Sequence, residues 1–133
     1  GNWLVVGAPG AGEVHVYDGT FANPQSLAIT DGSASQDSGF GQAVAISNSR
    51  IAVGSPRADI NGTNNGRVYL FEENAGVWAQ AGSVDSVPVS TITGISANNS
   101  DFGAAVALQG DRLVIGAPYE NGPVSQGVAL LYE

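Results

Sequence analysis

Residues 40–56 read FGQAVAISNSRIAVGSP and residues 102–118 read FGAAVALQGDRLVIGAP, one seventeen-residue unit written twice in register. Phe40-Gly41 answers to Phe102-Gly103, and Gly54-Ser55-Pro56 answers to Gly116-Ala117-Pro118. A shortened third copy, LVVGAP at Leu4 to Pro9, lies near the start of the chain. Repetition of this kind constrains the fold more than any composition value. Each copy must be a small supersecondary unit whose apolar faces are covered by its neighbours.

The middle copy shows what that unit is. AVAIS (43–47) and RIAVGS (50–55) are short, apolar and β-prone, and only Asn48-Ser49 separates them. Two residues between such runs predict an antiparallel hairpin. Gly110-Asp111 holds the same place in the last copy, where Gly supplies the positive φ that such turns need. A polar loop then leads to RVYLFEE (67–73), a turn at Asn74-Ala75-Gly76, and a more polar fourth strand, VWAQAGSV (77–84). The first copy supplies WLVVGAP, GEVHVYD and QSLAITD, and the last supplies AAVALQ, RLVIGAP and GVALLYE. The sum is ten strands and no segment of helical period.

Gly7, Gly54 and Gly116 stand 47 and 62 residues apart. Four-stranded meanders repeating at that interval predict an all-β chain of β-propeller blades. About two and a half blades are expected: a partial blade over 1–34, a full blade over 35–95 and a partial blade over 96–133. The recurring residues have structural work in such blades. Gly7, Gly54 and Gly116 permit close backbone approach, and Pro9, Pro56 and Pro118 end their strands by removing a ladder donor. Phe40 and Phe102 are placed to wedge between blades, each burying a side chain for about 1.5–3 kcal/mol.

These residues resemble FG-GAP repeats, the blade units of integrin α-subunit head propellers and of many large secreted or surface proteins of bacteria and eukaryotic microbes. TDGSASQDSGFGQAVAISNSRIAVGSP, continuing to GRVYLFEENAGVWAQ, is most similar to the microbial branch. The resemblance covers almost the whole chain. It implies propeller blades and an extracellular or cell-surface setting, but no single activity, since the fold carries many. Many members carry a calcium loop of the form Asp-x-Asp-x-Asp-Gly between the first two strands. Here that connection is only Asn48-Ser49 or Gly110-Asp111, so that calcium site does not carry over.

A weaker calcium candidate is ADINGTNNG, where Asp59, Asn61, Thr63 and Asn65 alternate as oxygen donors. Calcium takes six to eight oxygens, usually with several carboxylates, and this stretch has one, so a solvated turn-rich loop is the expected reading. Asn61-Gly62-Thr63 and Asn98-Asn99-Ser100 are glycosylation acceptors in predicted loops, with Asn61 and Asn98 as the sugar-bearing residues. Pro88 to Thr93 is a compositional candidate for O-linked sugar.

Charge excludes some partners. The four basic residues are all arginines, against twelve acids, for a net charge of −8. Such a surface repels phosphate backbones and anionic lipid, so neither nucleic-acid binding nor membrane insertion is expected. No run of 18 apolar residues occurs, and there is no cysteine for a disulfide or thiolate metal site. The single histidine, His15, alternates with Val14 and Val16 and points away from them. No nucleophile elbow, Cys/His pair or zinc-binding helix is present, and the aspartates cluster in turns. The chain reads as no enzyme and as needing no cofactor.

Fewer than three blades do not close a ring, which takes at least about four. Unfinished flanks expose apolar faces and strand edges that demand cover. The expected function is therefore a non-enzymatic extracellular structural or adhesion module. It would assemble with further blades, either from the rest of a longer chain or from other copies as a homo-oligomer or filament. Two alternatives stand beside it. One is an integrin-like propeller gripping protein or glycan through rim loops such as those of Arg57 and Tyr119. The other is an accessory propeller domain of a larger secreted enzyme.

Overall fold

Two-residue turns and short apolar runs produce the expected strands. The computed structural model describes residues 2–29, 38–59, 64–85, 99–118 and 127–133. The strands are β1 (Leu4–Ala8), β2 (Glu13–Tyr17), β3 (Gln25–Ser26), β4 (Ala43–Ser47), β5 (Arg50–Ser55), β6 (Arg67–Asn74), β7 (Val77–Asp85), β8 (Ala105–Gln109), β9 (Arg112–Ala117) and β10 (Val128–Tyr132). They form three sheets, ordered β1-β2-β3, β4-β5-β6-β7 and β10-β9-β8, each an antiparallel meander. No α-helix occurs among the described residues. The fold is all-β, built of propeller-type blades that do not close a ring.

Local chemistry sets the turns. Ser47 pairs with Arg50 across Asn48-Ser49, and Gln109 pairs with Arg112 across Gly110-Asp111. Asn48 sits at φ 53° and Gly110 at 57°, so Asn takes the left-handed conformation that Gly takes in the other copy. The β6–β7 turn is tighter than expected. Asn74 pairs with Val77, leaving only Ala75 (φ 52°) and Gly76 (φ 84°) between the strands. Positive φ at both central residues is the mark of a type I′ hairpin. Along the same pair the register shifts between Leu70 and Phe71, which face Gly82 and Gln80, so Ala81 forms a one-residue bulge.

Of the expected strand QSLAITD, residues 25–29 are described, and the paired strand within them is short. Only Gln25 and Ser26 pair with β2, although the Leu27 amide still donates to the Val14 carbonyl at 2.9 Å. Pro24 has no N–H to donate, and Asn23 before it is left-handed at φ 53°, so pairing cannot begin earlier.

The middle sheet is buried on both faces. Ile51 and Val53 of β5 and Tyr69 and Phe71 of β6 pack with Phe40 against Val14, Val16 and Leu27 of the first sheet. The alternate residues Ala52, Val68 and Leu70 pack against Phe102, Leu113, Ile115 and Ala117 of the third sheet. Period-two alternation thus feeds two separate cores from one sheet. Phe40 and Phe102 are both essentially fully buried, and Phe40 meets Tyr69 edge-on at 5.5 Å. The wedge role expected of both rings is the observed one.

Each of the two outer sheets has one uncovered face. LVVGA and LVIGA are apolar throughout, yet each buries only one face here. Leu4 and Val6 are 45% and 41% exposed, and Val114 and Leu131 are 40% and 59% exposed. Those side chains point away from the middle sheet, where no neighbouring blade lies among the described residues.

Candidate functional site

What joins one blade to the next is a pair of glycines. Gly41 and Gly103 follow their phenylalanines with φ of 89° and 94°, a conformation open to Gly at little cost. Each donates its N–H to a carbonyl of its own sheet, Gly41 to Gly54 at 3.1 Å and Gly103 to Gly116 at 3.0 Å. Each then lays its own carbonyl on the strand glycine of the preceding sheet. A Cβ on Gly7 would lie 2.0 Å from the Gly41 oxygen, and a Cβ on Gly54 would lie 2.0 Å from the Gly103 oxygen. The Phe-Gly turn of one blade is therefore seated on the Gly-x-Pro strand of the blade before it, twice over.

That repetition defines the two open flanks. Leu4 and Val6 stand where Ile51 and Val53 stand in the middle sheet, on the face turned toward a preceding blade. Val114 and Leu131 stand where Ala52 and Leu70 stand, on the face turned toward a following one. Gly116 is the third strand glycine, and a Cβ there would meet nothing closer than the Ala105 Cβ at 3.4 Å. The seat that Gly41 and Gly103 occupy on Gly7 and Gly54 is open at Gly116.

Polar contacts reinforce each joint, and most of them leave no signature in the sequence. Gln25 reaches from β3 to the β6–β7 turn, donating to the Gly76 carbonyl at 2.5 Å and accepting the Trp78 amide at 3.0 Å. Arg50 joins the second and third blades, paired with Glu72 at 3.1 Å and with Asp111 across the joint. The Ser47 hydroxyl accepts the Gly110 amide at 2.9 Å. Arg50 recurs as Arg112, but Asp111 stands where the second copy has Ser49, so the Arg50–Asp111 pair has no signature in the repeat either. Exposed pairs of this kind contribute about 0–1 kcal/mol, so they align the joint more than they hold it.

Of the calcium candidates, Asp59 and Asn65 lie among the described residues. Asn61 and Thr63 lie outside the described residues. The Asp59 carboxylate accepts the Asn64 amide at 2.7 Å, as in a turn. Asn65 is buried and its carbonyl accepts the Ser100 hydroxyl at 2.9 Å. Among the described residues no cluster of three His, Asp or Glu side chains could hold a metal ion. Of the sugar acceptors, Asn61 and Asn98 lie outside the described residues, as do Pro88 to Thr93 and Tyr119, while Ser100 of the second acceptor is buried. Arg57 is exposed, and its amide donates to the Ser38 carbonyl at 2.9 Å.

His15 points away from the buried Val14 and Val16, onto the leading flank, with Nε2 3.1 Å from Glu13 and Nδ1 3.1 Å from the Ser26 hydroxyl. Among the described residues two carboxyls are displaced from their ordinary range. Hydrogen bonds from the Thr20 hydroxyl and amide lower Asp18, which thereby caps a turn. Partial burial raises Asp101, against an opposing pull from the Arg57 guanidinium.

Three stacked antiparallel meanders, joined by Phe-Gly on strand glycine, are thus built from one repeated motif. Comparison with curated proteins gives no match. The sequence matches the FG-GAP repeat over residues 25–71 and again over 96–132, well over half of its length and including both Phe-Gly turns. The chain belongs to the FG-GAP repeat family, a binding or structural module of propeller type.

Proposed function

We propose that the chain is a non-enzymatic structural or adhesion module of an extracellular or cell-surface protein, working by stacking further blades on its two flanks. The blades come from the same longer chain or from other copies. The observation that carries this reading is the match between each exposed flank and a joint already formed. Leu4 and Val6 repeat the positions of Ile51 and Val53, while Val114, Leu131 and the open seat at Gly116 repeat those of Ala52, Leu70 and Gly54. Exposed apolar side chains set out in this order mark interaction surfaces. The occurrence of FG-GAP repeats in extracellular proteins supports the setting, and a net charge of −8 argues against a polyanionic partner. The non-enzymatic reading rests on a sequence with one histidine, no cysteine and no nucleophile–base pattern.

Sedimentation velocity over a concentration series tests it. The chain is expected to associate as concentration rises. Leu131→Asp on one flank and Leu4→Asp on the other should each suppress that association, and both positions are exposed, so folding should survive. A monodisperse monomer at every concentration, unchanged by either variant, would count against stacking.

A further inference from the structure

The Phe-Gly seat is the same in both joints: a Cβ on Gly7 or on Gly54 would lie 2.0 Å from the seated carbonyl oxygen. It cannot tell one following blade from another. The residue four places before each strand glycine can, because its contact differs between the joints. In the first joint it is Trp3, edge-on at 5.7 Å to Trp78 on the fourth strand of the second blade. In the second joint it is Arg50, paired with Glu72 of its own sheet at 3.1 Å and with Asp111 in the first turn of the third blade. The residue equivalent to Asp111 in the second blade is Ser49, which offers Trp3 no charge. Arginine and acid recur together within a sheet, since Arg112 pairs with Glu133 at 3.6 Å as Arg50 does with Glu72. In the first blade Asp18 holds the place of Glu72. With tryptophan across from it, Asp18 binds Thr20 instead. Each joint also carries a cross-joint amide bond, Trp78 to the Gln25 side chain at 3.0 Å and Gly110 to the Ser47 hydroxyl at 2.9 Å.

We propose that this residue, Trp3 in the first blade and Arg50 in the second, selects the blade that follows. An arginine held by its own sheet's acid takes a blade whose first turn carries a carboxylate. A tryptophan takes a blade with an aromatic ring on its fourth strand and asks no charge of the turn. Exposed charges of this kind add little attraction, but a like charge or a missing partner sets a wrong neighbour apart from the right one. Blade order is thus written at the rim of each joint, while the shared seat and the buried rings hold the blades together. The inference deepens the stacking reading, yet both sides of each contact lie inside this chain. By the same rule, a blade stacked on the third carries a carboxylate in its first turn, opposite Arg112.

The test is amide hydrogen exchange of the full chain at Gly110 and Trp78, one reporter for each joint. It is read in dilute monomer at low ionic strength, so it stands or falls apart from the sedimentation test of flank association. Asp111 is 86% exposed, so Asp111→Arg should fold. It sets two guanidinium groups together and should speed exchange at Gly110 by about two- to fivefold. Adding Arg50→Glu should return that rate toward the parent's, a rescue that a merely space-filling role would not give. Salt at about 1 M should erase the difference between Asp111→Arg and the parent. In the first joint, Trp3→Arg should speed exchange at Trp78, and adding Ser49→Asp should recover part of the loss. Ser49→Asp beside the native Trp3 should give no protection. The proposal is overturned by unchanged Gly110 exchange in Asp111→Arg, by failure of Arg50→Glu to rescue it, by a difference that salt leaves intact, or by protection from Ser49→Asp whatever stands at position 3.

Discussion

Alanine at Gly54 and alanine at Gly116 are the same chemical change at the same motif position, and the structure assigns them opposite consequences. At Gly54 the new methyl would sit 2.0 Å from the Gly103 carbonyl oxygen and 3.0 Å from its carbon, and backbone cannot rotate aside as a side chain can. Restoring an ordinary contact means moving the third sheet outward by more than an ångström, through the packing of Ala52, Val68, Phe102 and Ile115. Overpacking a tight core costs typically about 1–3 kcal/mol, and a backbone-to-backbone clash belongs at or above the top of that range. At Gly116 the methyl meets only the Ala105 Cβ at 3.4 Å, ordinary contact, and Ala is preferred over Gly in a strand by about 0.5–1 kcal/mol. Thermal and urea unfolding of both variants, at concentrations where the chain is monomeric, make the comparison. Gly54→Ala should lower stability by about 3 kcal/mol, which for a domain of this size is a fall in Tm of roughly 10–15 °C. Gly116→Ala should fall within about 1 kcal/mol of the parent. Equal losses at the two positions would refute the seating of the Phe-Gly turn on the preceding strand.

Other substitutions probe the remaining features. Phe40→Ala and Phe102→Ala empty fully buried sites in the two joints and should each cost about 3–5 kcal/mol by chemical denaturation. Ala75→Asn would place Asn-Gly in a turn whose central residues both have positive φ, and should stabilise the hairpin by roughly 1 kcal/mol, read as a rise in the urea midpoint. Asp101 has its carboxyl raised by burial, so the folded state holds the proton to higher pH than the unfolded chain. Its ionisation therefore removes stability as pH rises through the range just above the ordinary aspartate value, and the loss persists at neutral pH. Asp101→Asn, which also suits φ 50°, should be more stable than the parent at pH 7 and show no such advantage near pH 3; a constant difference across pH would contradict the assignment.

Much of this architecture was legible because the repeat compares a chain with itself. Phe40, Gly41 and Gly54 recur as Phe102, Gly103 and Gly116, and a two-residue spacer such as Asn48-Ser49 admits few conformations. The length of β3 was not legible, because Leu27 and Ile29 keep an apolar pattern beyond the point where strand pairing stops. The open flanks of β1 and β9 followed from the number of blades, too few to close a ring, and not from the strands themselves. A strand with neighbours on both faces and a strand waiting for one have the same apolar sequence. The contacts that trim each joint depend on register offsets such as the bulge at Ala81, which no propensity encodes. Gln25 reads as an ordinary polar residue until the β6–β7 turn is brought beside it.

Nuclear Overhauser effects from the two Phe-Gly glycines test the stacking most directly. A Cβ on Gly41 would lie 2.9 Å from a Val14 methyl carbon, and one on Gly103 would lie 3.0 Å from a Val68 methyl carbon, so an α-proton of each glycine points at a methyl group of the sheet before it. Close stacking predicts strong cross-peaks between Gly41 Hα and Val14 and between Gly103 Hα and Val68, both in dilute monomer. Their absence at both joints, with the three meanders otherwise intact, would mean that the sheets do not stack through their Phe-Gly turns.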